Sequence, residues 1–377
     1  ETQWVNEIYE KMEQKLYAEC ARMGEKIPYW TVGGVYEEDY AKKDIYWWTN
    51  GFWSGILWQL YHATKNELYL ETARKNEDLL DQALHGFIGL HHDTGFMWLH
   101  SAVADYRLTG SEEAKVRGLN AASVLAGRYN PNGKFIRAWN PECVEEGEDC
   151  TGWIIVDSMM NIPLLYWAGQ ITGDPRFQQI AVNHADTVAS YLVREDGSCG
   201  HIACINPDTG ELEHILGGQG YSETSSWSRG QSWILYGFAL SYRHTKNKKY
   251  LDIAKKTAHY FISNIALTGY IPLCDFRQPA SAAYTDTSAG LCAACGLLEI
   301  AEHVDECEKN LYRTYAELIL KHTAETCCDW NPDTDGIVQN CKVAFHNDRR
   351  EQTDLIYADY FLTEAVLRLL GKDFLIW

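Results

Sequence analysis

The sequence predicts an all-α protein built as an (α/α)6 barrel, and two observations carry that prediction. One helix–turn–helix pattern recurs six times, and within each pair the first helix is apolar nearly all round whereas the second carries charge on one face. A helix apolar on all sides is buried among others, and an amphipathic one covers it. Six buried helices inside six covering ones form a double ring, and a repeat of this length is the signature of such an array. An open solenoid is the alternative. Closure is favoured because the sixth start has room for only one more helix, so the N-terminal helix over Val5 to Met23 must supply the missing partner.

The elements follow in order. The first pair starts at Thr49-Asn50-Gly51-Phe52-Trp53, turns at Thr64-Lys65-Asn66 and resumes from Tyr69 to Leu80. The second starts at Asp93-Thr94-Gly95-Phe96, turns at Leu108-Thr109-Gly110-Ser111 and runs to about Tyr129. The third starts at Val156-Asp157-Ser158, turns at Thr172-Gly173-Asp174-Pro175 and ends near Leu192. The fourth runs from Ser228 through a turn at Thr245-Lys246-Asn247 to about Ile262. The fifth starts at Thr285-Asp286-Thr287-Ser288 and turns between Asp305 and Lys309, and the sixth starts at Thr353-Asp354-Leu355-Ile356. Ser, Thr, Asp and Asn at these starts are helix-capping residues, and Gly suits the left-handed residue that ends a helix. Gly200-His201-Ile202-Ala203-Cys204-Ile205-Asn206 reads as part of a short loop hairpin. With nine prolines and no linker-like stretch, residues 1–377 are expected to form a single catalytic domain.

The formal charge of −19, from 52 acidic and 33 basic residues, argues against nucleic acid and against anionic membrane as partners. No apolar run is long enough to span a bilayer, and the start Glu1-Thr2-Gln3-Trp4-Val5 lacks the features of a secretion signal. Twelve cysteines lie scattered, several inside apolar helices, and Cys292 and Cys295 are expected to pack on one helical face. Such usage fits a reducing cytoplasm.

In such a barrel the starts of the inner helices converge on one mouth. Trp48, Asn50, His91-His92-Asp93, Trp153, Asp157 and Trp227-Ser228-Arg229 all fall there, and the chain carries 14 tryptophans. Aromatic faces stack on sugar rings, so the mouth reads as a carbohydrate cleft. Helix N-termini and Arg229 are expected to hold an anion in spite of the net charge. Asp93 and Asp157 form the kind of carboxylate pair that breaks glycosidic bonds; each could instead be a helix cap. Adjacent histidines are expected to point to different faces, so no metal is expected, and no cofactor.

These residues resemble glycoside hydrolase family 88, the unsaturated glucuronyl hydrolases. The resemblance spans roughly residues 44–370 and rests on Trp48-Thr49-Asn50-Gly51-Phe52-Trp53-Ser54-Gly55, His91 to Phe96, Asp157-Ser158-Met159-Met160-Asn161, Trp227 to Trp233 and Ala294 to Ala301. It implies the (α/α)6 barrel and an exo-acting enzyme on unsaturated glycosaminoglycan disaccharides and oligosaccharides. It also implies hydration of the C4=C5 vinyl ether of the terminal uronic acid. Asp157 would be proton donor and then base, with Asp93 its partner. Trp48, His92, Trp139, His201, Gln219, Arg229 and Trp233 would line the uronate subsite. A further expectation is that Asp93 stays ionised and thereby keeps Asp157 protonated.

The family's Trp-Gly-Asp-Tyr segment is replaced here by Tyr357-Ala358-Asp359-Tyr360. The end Gly371-Lys372-Asp373-Phe374-Leu375-Ile376-Trp377 lacks a Ser- and Lys-bearing segment linked to sulfated substrates, so unsulfated substrates are expected to be preferred. The alternatives are an unsaturated rhamnogalacturonyl hydrolase on pectin fragments, a sugar epimerase on the same barrel, and a non-catalytic sugar binder.

Overall fold

The computed structural model describes residues 3–347 and 352–377. Its inner ring consists of helices Phe52–Thr64, Thr94–Thr109 (with a π-helical turn at Leu99–Val103), Ser158–Thr172 (interrupted at Ile162), Ser228–Thr245, Thr287–His303 and Ile356–Leu370. Helices Gln3–Met23, Glu67–Gly86, Glu112–Ala126, Pro175–Leu192, Lys248–Ile265 and Glu306–Thr326 cover it. Ile356–Leu370 packs against both Phe52–Thr64 and Gln3–Met23, so the ring is closed and the solenoid is excluded.

Four of the inner-to-outer turns share one local device. Thr64, Thr109, Thr172 and Thr245 each donate their hydroxyl to the carbonyl four residues back. Each also accepts the amide of the residue two ahead. The residue between is left-handed: Lys65, Gly110, Gly173 or Lys246. The next residue, Asn66, Ser111, Asp174 or Asn247, caps the outer helix through its side chain. Short-range chemistry thus stops one helix and starts the next within three residues.

Two inner helices depart from the regular pattern expected of them. In the second, His100 Nδ1 lies 2.7 Å from the Phe96 carbonyl, and Ser101 donates to the Met97 carbonyl at 2.6 Å. These contacts at the carbonyls accompany the wider π turn. In the third, Pro163 has no amide to continue the ladder, and the helix restarts there. The barrel axis is filled by Phe52, Phe96, His100, Phe361 and Trp377, with Trp377 donating its indole N–H to Glu364 at 2.9 Å. The Gly200–Asn206 segment holds strand Ile202–Ile205, the centre of a three-stranded antiparallel sheet with Trp153–Ile155 and Leu212–Leu216. That sheet leads directly into Asp157. It packs Trp153 into a second buried cluster, its ring centroid 6.1 Å from that of Trp139, rather than at the mouth where the sequence placed it.

Candidate active site: two carboxylates at adjoining helix starts

Asp93 and Asp157 precede the second and third inner helices, and Gly95 brings those starts together. A Cβ on Gly95 would lie 2.4 Å from the backbone of Asn161, so only glycine lets the two turns touch. Neither carboxylate accepts a helix-capping hydrogen bond. Neither carboxylate therefore acts as a helix cap. Asn161 donates its amide to Asp93 Oδ1 at 2.8 Å. His92 Nε2 lies 3.4 Å from Asp93 Oδ1 and 3.4 Å from Asp157 Oδ1.

The pair faces a cavity of about 450 Å³ whose walls include Trp47, Trp48, Trp139, Trp227, Trp233, Gln219 and Arg229. Seven of the nine residues expected from the sequence line it: Asp93, Asp157, Trp48, Trp139, Gln219, Arg229 and Trp233. His92 and His201 do not. His92 is fully buried behind the carboxylates. His201 packs on Trp227 with ring centroids 4.3 Å apart. Its Nδ1 lies 2.9 Å from the Gln219 amide and 3.1 Å from the Gly217 carbonyl, so the ring holds the loop that presents Gln219.

Arg229 also differs from its expected use as a carboxylate clamp. It is 1% exposed and donates to Asp286 at 2.6 Å and to the carbonyls of Lys342 and Val343 at 2.7 Å each. These bonds fix the guanidinium on the cavity wall, where it places a positive charge. The Tyr357-Ala358-Asp359-Tyr360 segment is buried in the barrel wall, where Asp359 accepts the amides of Ile337 and Val338. It does not line the cavity.

Burial pushes the Asp157 carboxyl up to about 7; the nearby amides of Asp157 and Ser158 and the charge of Arg229 pull the other way. Asp93 is raised well above the carboxylate range, first by burial and then by the charge of Asp157, with Asn161 opposing. Asp93 is the deeper of the two, and the Asn161 amide and the charge of Arg128 oppose its rise only in part. Deeper burial favours the proton on Asp93, the opposite of the expected division. Near neutral pH the pair carries between one and two protons. His91, which lines the cavity, is lowered to about 3 by burial, and His92 falls well below its ordinary value for the same reason. Both imidazoles are neutral.

Residues 29–243 match the sequence model of Glycosyl Hydrolase Family 88. The chain belongs to that family. Over 357 residues this family 88 member is 35% identical to the unsaturated glucuronyl hydrolase of Bacillus sp. (strain GL1), covering 92% of each chain. It is 32% identical to the unsaturated chondroitin disaccharide hydrolase of Streptococcus agalactiae, covering 99% of this chain and 93% of that one. The crystal structure of the Bacillus sp. GL1 enzyme, described as responsible for the degradation of glycosaminoglycan, superposes with a TM-score of 0.90. That match is at 32% identity and covers 97% of this chain and 96% of that one. A glycoside hydrolase activity follows from this membership.

His91 and Trp227, placed at the mouth from the sequence, also line the cavity, as do Tyr29, Asp44, Trp47, Gly89 and Glu142, which were not singled out for it. Trp47 sits beside Trp48, so proximity in the motif was a usable signal. Asp44 and Glu142 come from loops, where no periodicity marks them. Asn161 lies four residues after Asp157, the helical spacing that turns it toward the same mouth.

Proposed function

We propose that this family 88 hydrolase releases the 4,5-unsaturated uronic acid from the non-reducing end of lyase-generated glycosaminoglycan fragments, by hydrating the C4=C5 bond. The observation that carries this reading is the uncapped Asp93–Asp157 pair, which retains a proton near neutral pH at the inner end of an aromatic cavity. Protonated Asp157 gives its proton to C4, and the double-bond electrons form the new C–H bond. The cation at C5 is shared with the ring oxygen. Water adds to C5 and returns a proton to Asp157. The resulting hemiketal opens at the C5–O bond, and the hemiacetal left at C1 expels the neighbouring sugar. The substrate's own carboxylate raises Asp157 further on binding. Asp93, the longer-protonated partner, is suited to donate a hydrogen bond to the sugar. Trp48 and Trp139 suit stacking; Gln219 offers polar contact, although its Nε2 already donates to the Val343 carbonyl. His92, His201 and Trp233 position these groups.

The test is loss of the conjugated chromophore on a panel of unsaturated chondroitin, hyaluronan, heparin and rhamnogalacturonan disaccharides, with product mass rising by one water. Turnover of the rhamnogalacturonan member alone would favour the pectin-directed alternative, and an unchanged mass would point to an epimerase. Among glycosaminoglycan substrates, kcat/KM is expected to be roughly tenfold higher for unsulfated than for sulfated disaccharides, about 1.4 kcal/mol of uncompensated like charge. Asp44 and Glu142 line the cavity, and its one guanidinium is already paired with Asp286. Equal or better turnover of sulfated substrates would contradict this charge argument.

The pH profile tests the proton assignment. The alkaline limb of kcat/KM should fall near pH 7, where Asp157 loses its proton. Asp93→Asn removes a group that is neutral when Asp157 titrates. The limb should therefore stay in place while the maximum drops. A limb displaced to lower pH would instead mean that Asp93 is ionised and keeps Asp157 protonated.

Among the described residues no helix is long and apolar enough to cross a membrane, and all twelve cysteines are free. Unpaired cysteines, nine of them buried, support a reducing cytoplasm as the working compartment. Fractionation that placed the activity outside the cytoplasm would contradict this.

A further inference from the structure

Adjacent histidines were expected to diverge, yet both close on the same aspartate. His91 Nδ1 lies 3.5 Å from Asp93 Oδ2, and His92 Nε2 lies 3.4 Å from both Asp93 Oδ1 and Asp157 Oδ1. Ligand atoms of His91, His92 and Asp93 all fall within 4.8 Å of one another. These separations are too long for hydrogen bonds, which run about 2.7–3.2 Å. The two His92 separations match the edge of a coordination tetrahedron, about 3.3–3.4 Å for metal–ligand bonds of about 2.0–2.1 Å. His91 Nδ1, 3.5 Å from the other Asp93 oxygen, also accepts the Asp93 amide at 3.3 Å, a contact that an ion would replace. His92 is fully buried, and neither of its ring nitrogens has a hydrogen-bond partner; Asp157 Oδ1 also has none. Buried, unpartnered nitrogen and oxygen atoms this close together offer a ligand set that a divalent ion can take in place of the carboxyl proton.

We propose that His91, His92 and Asp93 form a binding site for a zinc-type divalent ion, and that the ion inhibits the enzyme by taking Asp93 away from the catalytic pair. The inhibitory half rests on the function proposed above; the binding half does not. Two imidazoles and one carboxylate suit Zn²⁺, Co²⁺, Ni²⁺ or Cu²⁺ and disfavour Mg²⁺ and Ca²⁺, which prefer oxygen ligands throughout. Three protein ligands leave a fourth position open, and Asp157 Oδ1 is near enough to His92 to reach it. The acidic groups of Asp44 and Glu142 on the same cavity walls raise the local concentration of cations.

The purified chain is titrated with Zn²⁺, and with Co²⁺ as a spectroscopic probe. The expected result is one ion per chain, with tetrahedral cobalt bands and no thiolate-to-cobalt charge transfer, which separates this site from the cysteines. Mg²⁺ should neither bind nor compete. His91→Gln should weaken Zn²⁺ at least tenfold, and Asp93→Asn should do the same, so the result does not hang on one variant's folding. Zn²⁺ should compete with the unsaturated disaccharide, and a chelator should not lower the activity. The site is overturned by thiolate charge transfer, by no stoichiometric binding below about 100 µM, or by affinity unchanged in both variants. Non-competitive inhibition by bound zinc would overturn the sharing of Asp93. Zinc bound with the expected spectrum to a chain that turns over no unsaturated disaccharide would sink the proposed function and leave the site standing.

Discussion

Asp157→Asn is expected to lower kcat by at least about 10²-fold, the lower end of a general acid–base contribution, and at the same time to raise Tm at pH 8. The two effects have one cause. Burial lifts the carboxyl from 3.8 to about 7, so ionisation of Asp157 disfavours the folded state. For a group whose folded pKa is raised, the stabilising contribution is complete below the unfolded value and is lost as pH climbs through the folded one. The wild type therefore loses on the order of 2–4 kcal/mol between about pH 4 and pH 7. Asn cannot ionise and avoids that loss. Its Tm advantage should appear at pH 8 and vanish below about pH 4. Wild-type turnover in heavy water should place deuterium at C4 of the product. Retention of more than about a hundredth of kcat would move the proton donor elsewhere, and deuterium missing from C4 would exclude hydration.

Lys15→Met is expected to be the most destabilising single change outside the apolar core. Lys15 is fully buried, and its ammonium donates to the carbonyls of Asp329 at 2.8 Å and Gly336 at 2.9 Å and to Thr334 Oγ1 at 3.2 Å, with Asp329 Oδ2 at 3.4 Å. The loop from Asp329 to Gly336 is wrapped around it. Close by, Glu19 accepts the Gly336 amide and faces Asp359, and Lys15 is the cation that offsets their charge. Met fills similar volume but donates nothing, so two carbonyls and a cluster of carboxylates lose their partner. Removing one member of a buried ionic set costs about 3–5 kcal/mol, or roughly 4–6 °C in Tm for a chain of this size. The loss should be largest at neutral pH and shrink on acidification, as the neighbouring carboxylates protonate. Thermal melts at pH 5 and pH 8 decide it; a Tm within about 2 °C of wild type at both would show that the loop does not depend on Lys15.

The repeat was legible because its signals are local. A Thr–left-handed residue–cap turn needs only three consecutive side chains, and an inner helix declares itself by being apolar on every face. Hence the turns at Thr109-Gly110-Ser111, Thr172-Gly173-Asp174 and Thr245-Lys246-Asn247 fall where the pattern put them. The π turn at Leu99–Val103 was not legible, since it depends on how His100 and Ser101 lie against their own helix.

Asp93, Asp157, Trp227 and Arg229 were readable as residues at or beside helix starts, a position the repeat itself defines, whereas Trp139 and Gln219 came only from the family resemblance. Their states were not. A helix start taken alone lowers a carboxyl pKa; burial raises it more, and burial is a property of the assembled ring. Arg229 looked free in its motif, but its partners Asp286, Lys342 and Val343 lie 57 to 114 residues away and hold its two terminal nitrogens in place. Lys15 occupies an unremarkable place on an amphipathic helix, and only contacts 314 to 321 residues downstream turn it into a buried cation. Periodicity and capping act over a few residues, so the sequence alone determined the barrel and the location of its mouth. Desolvation and the choice of ionic partner are set by groups that meet only when the ring closes, and those decided the charge on each carboxylate.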